Sequence, residues 1–517
     1  MTVFQVPFSL WPAILGVGTL VYLTSLVVYR RFFHPYAKIP GPFLPAVTRF
    51  YEWYFQVIQP GLYFKEIERL HSIYGPIVRI SPNEVSLSDP SNYDKIYNVS
   101  SGFYKDPAFY NTGTGTDNAM FSQPSNEVHR RMRAPLSPSF SRKAILEIEN
   151  LVQAKVDKLC AILQRNLDRG VGTNLQKIFP SISLDIVTDY LFDDCWNFLD
   201  DEDIGWFFHI MRANTPRMYN MQQFPWLEKP TRKMIPAWIA RLFEPNIVNF
   251  LQFRQKNENM IQDIKTKFDA GIKPPRPTLF HTLLDPKATE GHVVPSLADM
   301  VDDAFIFTGA AADTVGNTLL VASCHVLTNP DIYSRLRAEL LSAFPDPSAR
   351  GKWTEYEKLP YLTALIKESL RLSYGVICRL PRCAGEGGAT FHGYFIPPGY
   401  AVGMSAYMMH RNPEVFPDPE KFDPGRWLAS PEEVRAREKC LVAFSRGSRM
   451  CIGHNLAWCE IYLTLGTLFR RFGNLTSPEF GPEDLVWEDS FACRLPKGSR
   501  TLMAFGSQRG TALSVRA

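Results

Sequence analysis

A single cysteine lies in a local sequence that favours a reactive thiolate. In residues 444–453, FSRGSRMCIG, two glycines, Gly447 and Gly453, bracket Cys451, and a helix is predicted to begin directly afterwards. Glycines permit a tight loop whose backbone N–H groups face the sulfur. Those donors and the positive end of the helix dipole both favour thiolate over thiol. Arg449 is near enough in sequence to meet an anionic group beside the cysteine.

The residues alone allow three roles for Cys451. It can be a small buried hydrophobe, as many free cysteines are. It can join His454 and Cys459 in a zinc site, although no fourth ligand lies nearby in sequence and Gly447 and Arg449 would then have no purpose. It can also be the one thiolate ligand of haem iron, whose opposite face stays open. The bracketing glycines and the arginine favour the haem role.

A long apolar helix carries a second candidate site. Residues 304–327 are apolar enough to cross a membrane, but Asp313 and Asn317 near the middle would be costly in hydrocarbon. The small residues 309–312 instead predict a helix surface that something large and flat approaches. Asp313 and Thr314 place an acid and an alcohol beside that surface, and such a pair can supply the protons that cleavage of dioxygen consumes.

These motifs resemble the cytochrome P-450 superfamily, whose haem-binding signature is Phe-x-x-Gly-x-Arg-x-Cys-x-Gly. Residues 444–453 match every fixed position, from Phe444 to Gly453. The resemblance implies that Cys451 is the axial ligand of the iron in haem b and that O2 is a co-substrate. It also implies that Phe444, Arg449 and Gly453 help to hold the cofactor.

The helix 304–327 is similar to the family's Ala-Gly-x-Asp-Thr segment. That resemblance implies catalytic roles for Asp313 and Thr314 in proton delivery. Ala311 stands where the family usually has glycine. We therefore expect an altered kink in this helix, with uncoupling of oxygen reduction from substrate oxidation as one consequence.

An acid and a base lie on one face of a predicted helix, 358–373. Glu368 and Arg371, at i and i+3, would usually form only a surface ion pair. In the family that this chain resembles, the pair is buried and joins the Arg of a Phe-x-Pro-x-Arg segment, here residues 422–426. The resemblance therefore implies a structural ion-pair triad of Glu368, Arg371 and Arg426 that fixes the cysteine loop.

Haem propionates need cations, and the resemblance implies where they come from. His129 and Arg133 are similar to the family's Trp-x-x-x-Arg segment, with His in place of Trp. Arg379 matches a strand position after the Glu-x-x-Arg helix, and Arg449 is the third contributor. For His129 and Arg133 a solvated basic helix face is the alternative, because two further arginines lie between them.

The N-terminus predicts a single-pass membrane anchor. No charged residue precedes Arg30, and residues 8–29 would span about 33 Å as a helix. Because Arg30 and Arg31 follow the apolar run, the positive-inside rule places the N-terminus in the lumen of the endoplasmic reticulum and the body in the cytosol. A cleaved signal peptide is the alternative, but its basic residues would come first. The predicted units are an anchor, 1–34, a stiff proline-rich hinge, 35–45, and a catalytic domain, 46–517.

The composition fits one large folded body. The 517 residues are 45% hydrophobic and 21% charged with a net charge of +4, which excludes extensive disorder and gives no support for nucleic-acid binding. Nine cysteines without a Cys-x-x-Cys favour a reducing compartment over a disulfide scaffold. Helical periodicity dominates, a short β-hairpin is predicted around Pro82-Asn83, and neither a Rossmann nor a P-loop unit is found. We expect a mainly α fold with a minor β part, the cytochrome P-450 fold, in a single large catalytic domain.

The resemblance also implies partners and a reaction. The stretch after Cys451 is too short for a flavin domain, so electrons are expected from NADPH through a separate NADPH-cytochrome P-450 reductase. Residues 370–388 look closest to filamentous-fungal members related to trichodiene oxygenase, which implies hydroxylation or epoxidation of a small apolar terpenoid or polyketide-type intermediate of secondary metabolism. Aromatic residues in 206–227 lie where the family has its substrate-entrance helices, although core packing explains them equally well. Xenobiotic or fatty-acid oxidation, a haem-thiolate isomerase and a haem carrier or gas sensor are the alternatives.

Overall fold

Helices make up most of the molecule. The computed structural model describes residues 8–111, 116, 118–192, 194–201, 205–224, 247–274, 276, 278–346 and 349–506. The α-helices of these residues are α1 (Trp11–Val28), α2 (Phe43–Val47), α3 (Phe50–Trp53), α4 (Tyr63–Tyr74), α5 (Tyr93–Tyr97), α6 (Pro107–Tyr110), α7 (Asn126–Arg133), α8 (Arg142–Glu147), α9 (Glu149–Asp168), α10 (Leu175–Phe192), α11 (Gly205–Gln223), α12 (Ile247–Asp269), α13 (Leu279–Leu284), α14 (Leu297–Thr328), α15 (Pro330–Ala343), α16 (Trp353–Tyr356), α17 (Pro360–Ser373), α18 (Ala406–His410), α19 (Pro431–Cys440) and α20 (His454–Arg471).

The strands are short. They are β1 (Ile77–Ser81), β2 (Glu84–Leu87), β3 (Tyr104–Lys105), β4 (Thr173–Asn174), β5 (Arg382–Cys383), β6 (Ala389–Phe391), β7 (Tyr394–Ile396), β8 (Ala401–Gly403), β9 (Leu475–Thr476), β10 (Glu488–Ser490), β11 (Ala492–Arg494) and β12 (Met503–Gly506). The prediction of a mainly α fold with a minor β part is confirmed.

The longest helix, α14, runs through the core. A capping box between Ser296 and Asp299 closes its N-terminus. Helix α10 packs against it so closely that a Cβ on Gly316 would lie 2.8 Å from Pro180 Cγ. Because 56% of the most apolar window of α14 is buried inside the protein, α14 is a core helix and not a second membrane span.

A five-stranded sheet has the order β1-β2-β8-β5-β3. β1 and β2 pair antiparallel with Ile77 opposite Leu87, so the hairpin predicted around Pro82-Asn83 is confirmed. β2 and β8 are parallel, whereas β5 pairs antiparallel with both β8 and β3. The register of the last pair sets Lys105 opposite Arg382, and the ladder thereby brings two cations to the same edge of the sheet.

The N-terminal helix has the length and composition of a membrane span. α1 continues through a π-type turn, Tyr29–Phe33, and the candidate span Trp11–Phe33 has a mean hydropathy of 1.8 with none of its most apolar window buried in the protein. The span is shifted slightly from the predicted residues 8–29, because the helix continues past Arg30 and Arg31 and ends before His34.

The predicted hinge, 35–45, is not a stiff extended connector. It forms turns that dock on the five-stranded sheet, where the fully buried Tyr36 donates its hydroxyl hydrogen to Ala401 O at 3.1 Å. Gly41 lies so close to Arg79 that a Cβ would be 2.6 Å from the Arg79 carbonyl oxygen. The expectation of an extended connector overlooked the aromatic ring, since burying it stabilises a docked conformation that the prolines alone do not predict.

Candidate active site

The Cys451 loop depends on one glycine. Gly447 begins a 3-10 turn at φ +70°, and a Cβ there would overlap Tyr97 O. Cys451 N–H donates to Phe444 O at 2.9 Å, which closes the loop just before α20. Gly453 has a negative φ and open space around it, so its contribution is its backbone N–H, which faces the Cys451 sulfur.

Cys451 is the one exposed cysteine of the nine. Protein atoms nevertheless surround the sulfur closely. This burial raises the pKa of the thiol, while the Gly453 N–H and the Arg133 guanidinium oppose that shift. Coordination to a metal would add to the two opposing effects and deprotonate the thiol.

The ligands of the alternative zinc site do not converge. Among the described residues, no group of three or more His, Cys, Asp and Glu side chains is arranged to hold a metal ion. Cys459 is fully buried in the core, and His454 Nδ1 lies 3.1 Å from the Cys451 carbonyl oxygen. Cys451 therefore has the geometry of a lone ligand.

Basic side chains gather beside the cysteine loop, and the cluster consists of Lys105, His129, Arg133, Arg382 and Arg449. Burial lowers the pKa of His129 to about 2, and the charges of the other four add to the shift. Burial and neighbouring arginines also hold the pKa of Lys105 well below its usual value and lower that of Arg449 to about 10. In the part of the chain that the structure describes, these four cations donate to neutral oxygens and pair with no carboxylate. Like charges so close together favour a bound anion, and the two propionates of a haem fit this need.

Neutral backbone acceptors orient the two arginines that the sequence predicted for this cluster. Arg133 Nη1 donates to Met450 O at 2.7 Å, directly beside Cys451. Arg449 Nη1 donates to Gln123 O at 2.7 Å. Both side chains are half-buried, so the structure places them with the buried His129 at the cysteine loop.

Two further cations of the cluster were not predicted from the sequence. Lys105 Nζ donates to Phe121 O at 2.5 Å and lies 3.8 Å from the centre of the Phe121 ring. Arg382 Nη1 donates to Tyr110 Oη at 2.8 Å. The pairing of β3 with β5 places Lys105 opposite Arg382. A local sequence pattern does not predict such a long-range pairing.

Arg379 does not join this cluster. Its buried guanidinium donates from Nη2 to Glu52 at 2.5 Å and from Nε to Glu84 at 2.6 Å. Two carboxylates already neutralise it, so the expectation that Arg379 binds a haem propionate is corrected here. Arg382 is three residues further along an extended segment, where alternating side chains point to opposite faces.

Helix α14 has an accessible stripe in an otherwise buried stretch. The accessible positions recur every three or four residues, at 306, 309, 310, 313, 314 and 317, and the adjacent Ala311 is also partly accessible. Thr314 Oγ1 donates to Ala310 O at 2.9 Å, and Asp313 pairs with Arg494 of β11 at 3.1 Å. Asp313 and Thr314 thus lie together on the one open face of the helix, and Arg494 is a partner that the sequence did not predict.

The structure brings Glu368, Arg371 and Arg426 into one buried network. Glu368 accepts from Arg371 at 2.8 and 2.9 Å and from Arg426 at 3.3 Å. Trp427 Nε1 and the Asp423 backbone N–H also donate to the same carboxylate, at 3.0 and 2.8 Å. Because every member is buried and bonded, the network ties α17 rigidly to the segment that leads to the cysteine loop.

The core histidine His410 links that network to the loop. His410 Nδ1 lies 2.8 Å from Arg371 O, and Val442 N–H donates to His410 Nε2 at 2.8 Å. Burial lowers the pKa of His410 to about 3, so the ring is neutral and each nitrogen has one defined role. The triad is thereby connected to a residue just before Phe444.

Aromatic side chains cluster next to Lys105 and Arg382. Phe121 packs edge-on against Tyr110 and Phe491 with ring centres 5.7 and 5.6 Å apart. Together with Phe109, Cys378, Val376 and Leu380 they form a separate apolar group. This group gives the site an apolar wall beside the cationic cluster.

The aromatic residues predicted for the substrate entrance have different environments. Phe207 is fully buried against Phe253, as the core-packing alternative expected, whereas Tyr219 donates to Asp489 at 2.6 Å. Phe224 packs on Phe50 with ring centres 5.5 Å apart. Trp226 lies outside the described residues, as do the side chains of Trp206 and Phe208.

Among the described residues, this mainly helical body places four cations without carboxylate partners beside one accessible cysteine. These features are typical of a class of protein whose site suits a dianionic cofactor with a metal that takes a single sulfur ligand.

Comparison with known sequences identifies the family within that class. The chain matches the cytochrome P450 family over residues 42–498. Cytochrome P450 monooxygenase MO6277 of Ascocoryne sarcoides is 36% identical over 473 residues, which cover 89% of this chain and 91% of the relative. Tryptophan 6-hydroxylase fscE of Fusarium equiseti is 36% identical over 88% of this chain and 90% of its own length. N-acetyltryptophan 6-hydroxylase ivoC of Emericella nidulans is 34% identical, over 97% of this chain and 98% of its own length.

The chain belongs to the cytochrome P450 family, as its motifs predicted. Members of this family use haem iron and O2 and take electrons from a redox partner, so the protein is a haem-dependent monooxygenase.

Proposed function

We propose that this protein is a membrane-anchored monooxygenase that inserts one oxygen atom of O2 into a small apolar molecule, with Cys451 as the axial ligand of haem iron. The observation that carries the proposal is the cluster of cations beside the one exposed cysteine, which pair with no carboxylate of the described residues. A free thiol or a basic patch alone is common. Haem accounts for the two together, because its iron takes a sulfur ligand and its two propionates bind cations.

The chain's own residues have defined tasks in this proposal. Lys105, Arg133, Arg382 and Arg449 bind the propionates, and the neutral His129 donates a further hydrogen bond. Phe444, half-buried against Trp458, shields the sulfur, and the Gly453 N–H stabilises its negative charge. Bound there, haem supplies an iron centre at which O2 is reduced and its bond cleaved.

Asp313 and Thr314 deliver protons in the proposed reaction. The Arg494 guanidinium pairs with the Asp313 carboxylate at 3.1 Å and holds it in place. The Thr314 hydroxyl donates to Ala310 O, and this is its hydrogen bond in the absence of another acceptor. A rotation about one side-chain bond releases the hydroxyl toward the open face of α14. Thr314 then passes protons that the paired carboxylate relays from solvent.

Replacing Thr314 with Ala is expected to leave haem binding intact and to lower the amount of product formed per NADPH by roughly tenfold or more, because the proton donor is lost. Product and NADPH are measured together with the purified holoenzyme and reductase. Thr308→Ala is the matched control, since Thr308 lies on the same helix and is buried with its hydroxyl donating to Ala304 O. Unchanged stoichiometry in Thr314→Ala would contradict the proton-delivery role.

Replacing Arg382 with Gln is expected to speed haem release several-fold without lowering the temperature of unfolding of the apoprotein, because a cation that repels its neighbours is removed. Transfer of haem to an excess of apomyoglobin measures the release. Arg350→Gln, at an exposed arginine, serves as the control. If Arg379→Gln released haem faster than Arg382→Gln at equal stability, the assignment of the propionate to Arg382 would be incorrect.

Membrane anchoring is supported by the apolar surface near α1. The candidate span Trp11–Phe33 is followed by exposed apolar side chains, namely Phe43, Leu44, Phe50, Tyr54 and Ile58. We propose that the anchor lies in the endoplasmic reticulum membrane with the N-terminus in the lumen, as Arg30 and Arg31 predict. The catalytic domain then faces the cytosol and rests on the bilayer through this apolar surface.

A separate NADPH-cytochrome P-450 reductase is the proposed electron donor. Exposed basic residues border the cysteine loop, since Arg130 and Arg131 lie on α7 and Arg435 and Lys439 on α19. Helix α7 contacts the loop through Arg133, and the last turn of α19 does so through Arg446, which donates to the Glu438 carbonyl. Such a basic rim suits docking of an acidic flavoprotein.

The proposed substrate is a small apolar terpenoid or polyketide-type intermediate of fungal secondary metabolism. The apolar wall formed by Phe109, Tyr110, Phe121 and Phe491 supports an apolar ligand. An indole compound is the second candidate, because two similar proteins are named as 6-hydroxylases of tryptophan and N-acetyltryptophan. Fatty-acid or xenobiotic oxidation and a haem-thiolate isomerase remain further options without an observation in their favour.

Incubation of the holoenzyme with reductase and NADPH decides between the candidates. Tryptophan, N-acetyltryptophan and a sesquiterpene hydrocarbon are supplied separately under labelled dioxygen. The proposal expects a product that carries one labelled oxygen atom, from the hydrocarbon rather than the indoles. Product formation without NADPH would favour an isomerase and contradict the monooxygenase role.

A further inference from the structure

A buried serine joins three helices through a chain of oxygen atoms. Ser183 Oγ of α10 lies 2.9 Å from Ala311 O of α14 and 2.8 Å from Glu460 Oε2 of α20. Ser183 is fully inaccessible and Glu460 is buried. The reaction described above uses neither side chain.

The number of protons restricts this arrangement. The Ser183 hydroxyl has one hydrogen, and the Ala311 carbonyl can only accept. If Glu460 were ionised, two acceptors would compete for that hydrogen and one short contact would join lone pairs. If Glu460 carries a proton on Oε2, it donates to Ser183, which donates to Ala311, and neither short contact joins two lone pairs.

Among the described residues, no ion pair involves Glu460 and no charged neighbour contributes to the shift of its pKa. Arg142 of α8 pairs with Glu357, and Glu149 of α9 accepts from the Trp353 N–H. Other ionisable groups of the packed helices are engaged elsewhere: Asp185 accepts from the Phe198 N–H, Asp313 pairs with Arg494, Lys367 pairs with Glu438 and Arg337 donates to Phe469 O. The thiol of Cys459 is buried, and burial raises its pKa. Burial accordingly raises the pKa of Glu460 to about 8, against the opposing effect of the Ser183 hydrogen bond.

We propose that the neutral carboxylic acid of Glu460, acting through Ser183, is a positioning group that fixes the Ala311 carbonyl of α14 within one turn of Thr314. The proposal deepens the proposed function and rests on it for the role of Thr314. A Thr hydroxyl that bonds to the carbonyl four residues earlier often bends its helix, and Thr314 donates to Ala310 O in this way. The adjacent Ala311 O accepts from Ser183 of α10, so both carbonyls are held by hydroxyl groups.

This arrangement bears on the alanine at position 311. Relatives of the P-450 kind usually have a glycine there, whose freedom lets the helix deform. In this chain Ala311 keeps an ordinary side chain, and in this proposal the hydrogen bond from Ser183 holds its carbonyl from outside the helix. The uncoupling that Ala311 alone would predict is then offset by the pair of Ser183 and Glu460.

Infrared spectroscopy of the full-length holoenzyme tests the protonation directly. The carboxylic acid C=O band that distinguishes the wild type from Glu460→Gln is expected at pH 7 and should disappear as the pH rises through about 8. The difference spectrum isolates this group from the other buried acids. Absence of the band from the wild type at pH 7 would overturn the proposal, even if the thiolate spectrum of the haem is normal.

The positioning role is tested by peroxide release per NADPH, measured with reductase and no added substrate. Ser183→Ala and Glu460→Leu are expected to raise the amount of peroxide released per NADPH several-fold. Glu460→Gln is expected to release about as much as the wild type, because its amide still donates to Ser183. Raising the pH above 8 should increase this amount in the wild type and leave it unchanged in Glu460→Gln. Ser323→Ala is the matched control, since Ser323 is buried on α14 and its hydroxyl has no partner among the described residues.

Two outcomes would contradict the positioning role. One is an equal amount of peroxide per NADPH in the wild type, Ser183→Ala and Glu460→Leu. The other is a rise in Glu460→Gln as large as in Glu460→Leu. A variant without the thiolate spectrum of the reduced CO complex would instead point to a defect in haem ligation, which separates this test from that of the proposed function.

Discussion

Replacing Glu368 with Gln is expected to reduce the free energy of unfolding by roughly 3–5 kcal/mol, because two buried arginines lose the carboxylate with which they pair. The free energy of unfolding of a globular protein is about 5–15 kcal/mol in total. Much of the variant should therefore fail to fold and to bind haem. Arg371 would still donate to His410 O and Pro419 O, which limits the loss but leaves the charge uncompensated.

The measurement is thermal or denaturant unfolding of the apoprotein, together with the yield of holoprotein. Glu438→Gln provides a matched control, since Glu438 forms an ion pair with Lys367 on the same helix α17 but is 45% exposed. Exposed pairs contribute about 0–1 kcal/mol, so this control should unfold like the wild type. Equal stability of the two variants would show that the buried network does not hold the cysteine loop.

The second large effect is expected for Cys451→Ala. Removal of the sulfur leaves the cations that bind the propionates, so some haem should still be retained, but the sulfur ligand that promotes cleavage of the O–O bond is lost. Turnover with reductase and NADPH should fall to background. Haem content per protein and product formation are measured on the same preparation.

Cys440→Ala is the control for this experiment. Cys440 is buried at the end of α19 near the same loop, and it belongs to the apolar core. We expect a modest loss of stability and full catalytic competence in that variant. Retained turnover in Cys451→Ala, or its loss in Cys440→Ala alone, would contradict the assignment of the ligand.

Local patterns were sufficient to predict the elements that carry the chemistry. The loop around Cys451, the pair Glu368 and Arg371 and the pair Asp313 and Thr314 are each encoded by neighbours in sequence, because one turn or one helix face sets their geometry. The fold class follows from helical periodicity in the same way. Their spacing is therefore visible in the sequence, whereas the burial of Glu368 and Arg371 and the proposed roles of Asp313 and Thr314 were implied by the family resemblance.

The choice among similar cations depends on long-range contacts. Arg379 and Arg382 are both arginines on one segment, so the residue type alone makes either a partner for a propionate. They are distinguished by Glu52 and Glu84, which pair with Arg379. Those glutamates lie about 300 residues away in the chain. The extended backbone gave one usable signal, since residues three apart in a strand face opposite sides and both arginines could not point to one cofactor.

Other partners were missed for the same physical reason. Arg494 meets Asp313 and Lys105 meets Arg382 through strands that pack or pair across the fold. The chain of Ser183, Ala311 and Glu460 needs three helices in contact, so no single segment contains it. A buried acid without a cation in its surroundings can be recognised only once the packing is known.

The proposed bond from the Cys451 thiolate to haem iron can be tested by the absorption spectrum of the reduced, CO-bound holoenzyme. We expect the red-shifted Soret band of thiolate ligation in the wild type and its loss in Cys451→Ala. A wild-type spectrum of the neutral-thiol or histidine kind, or a thiolate band that persists in Cys451→Ala, would contradict it.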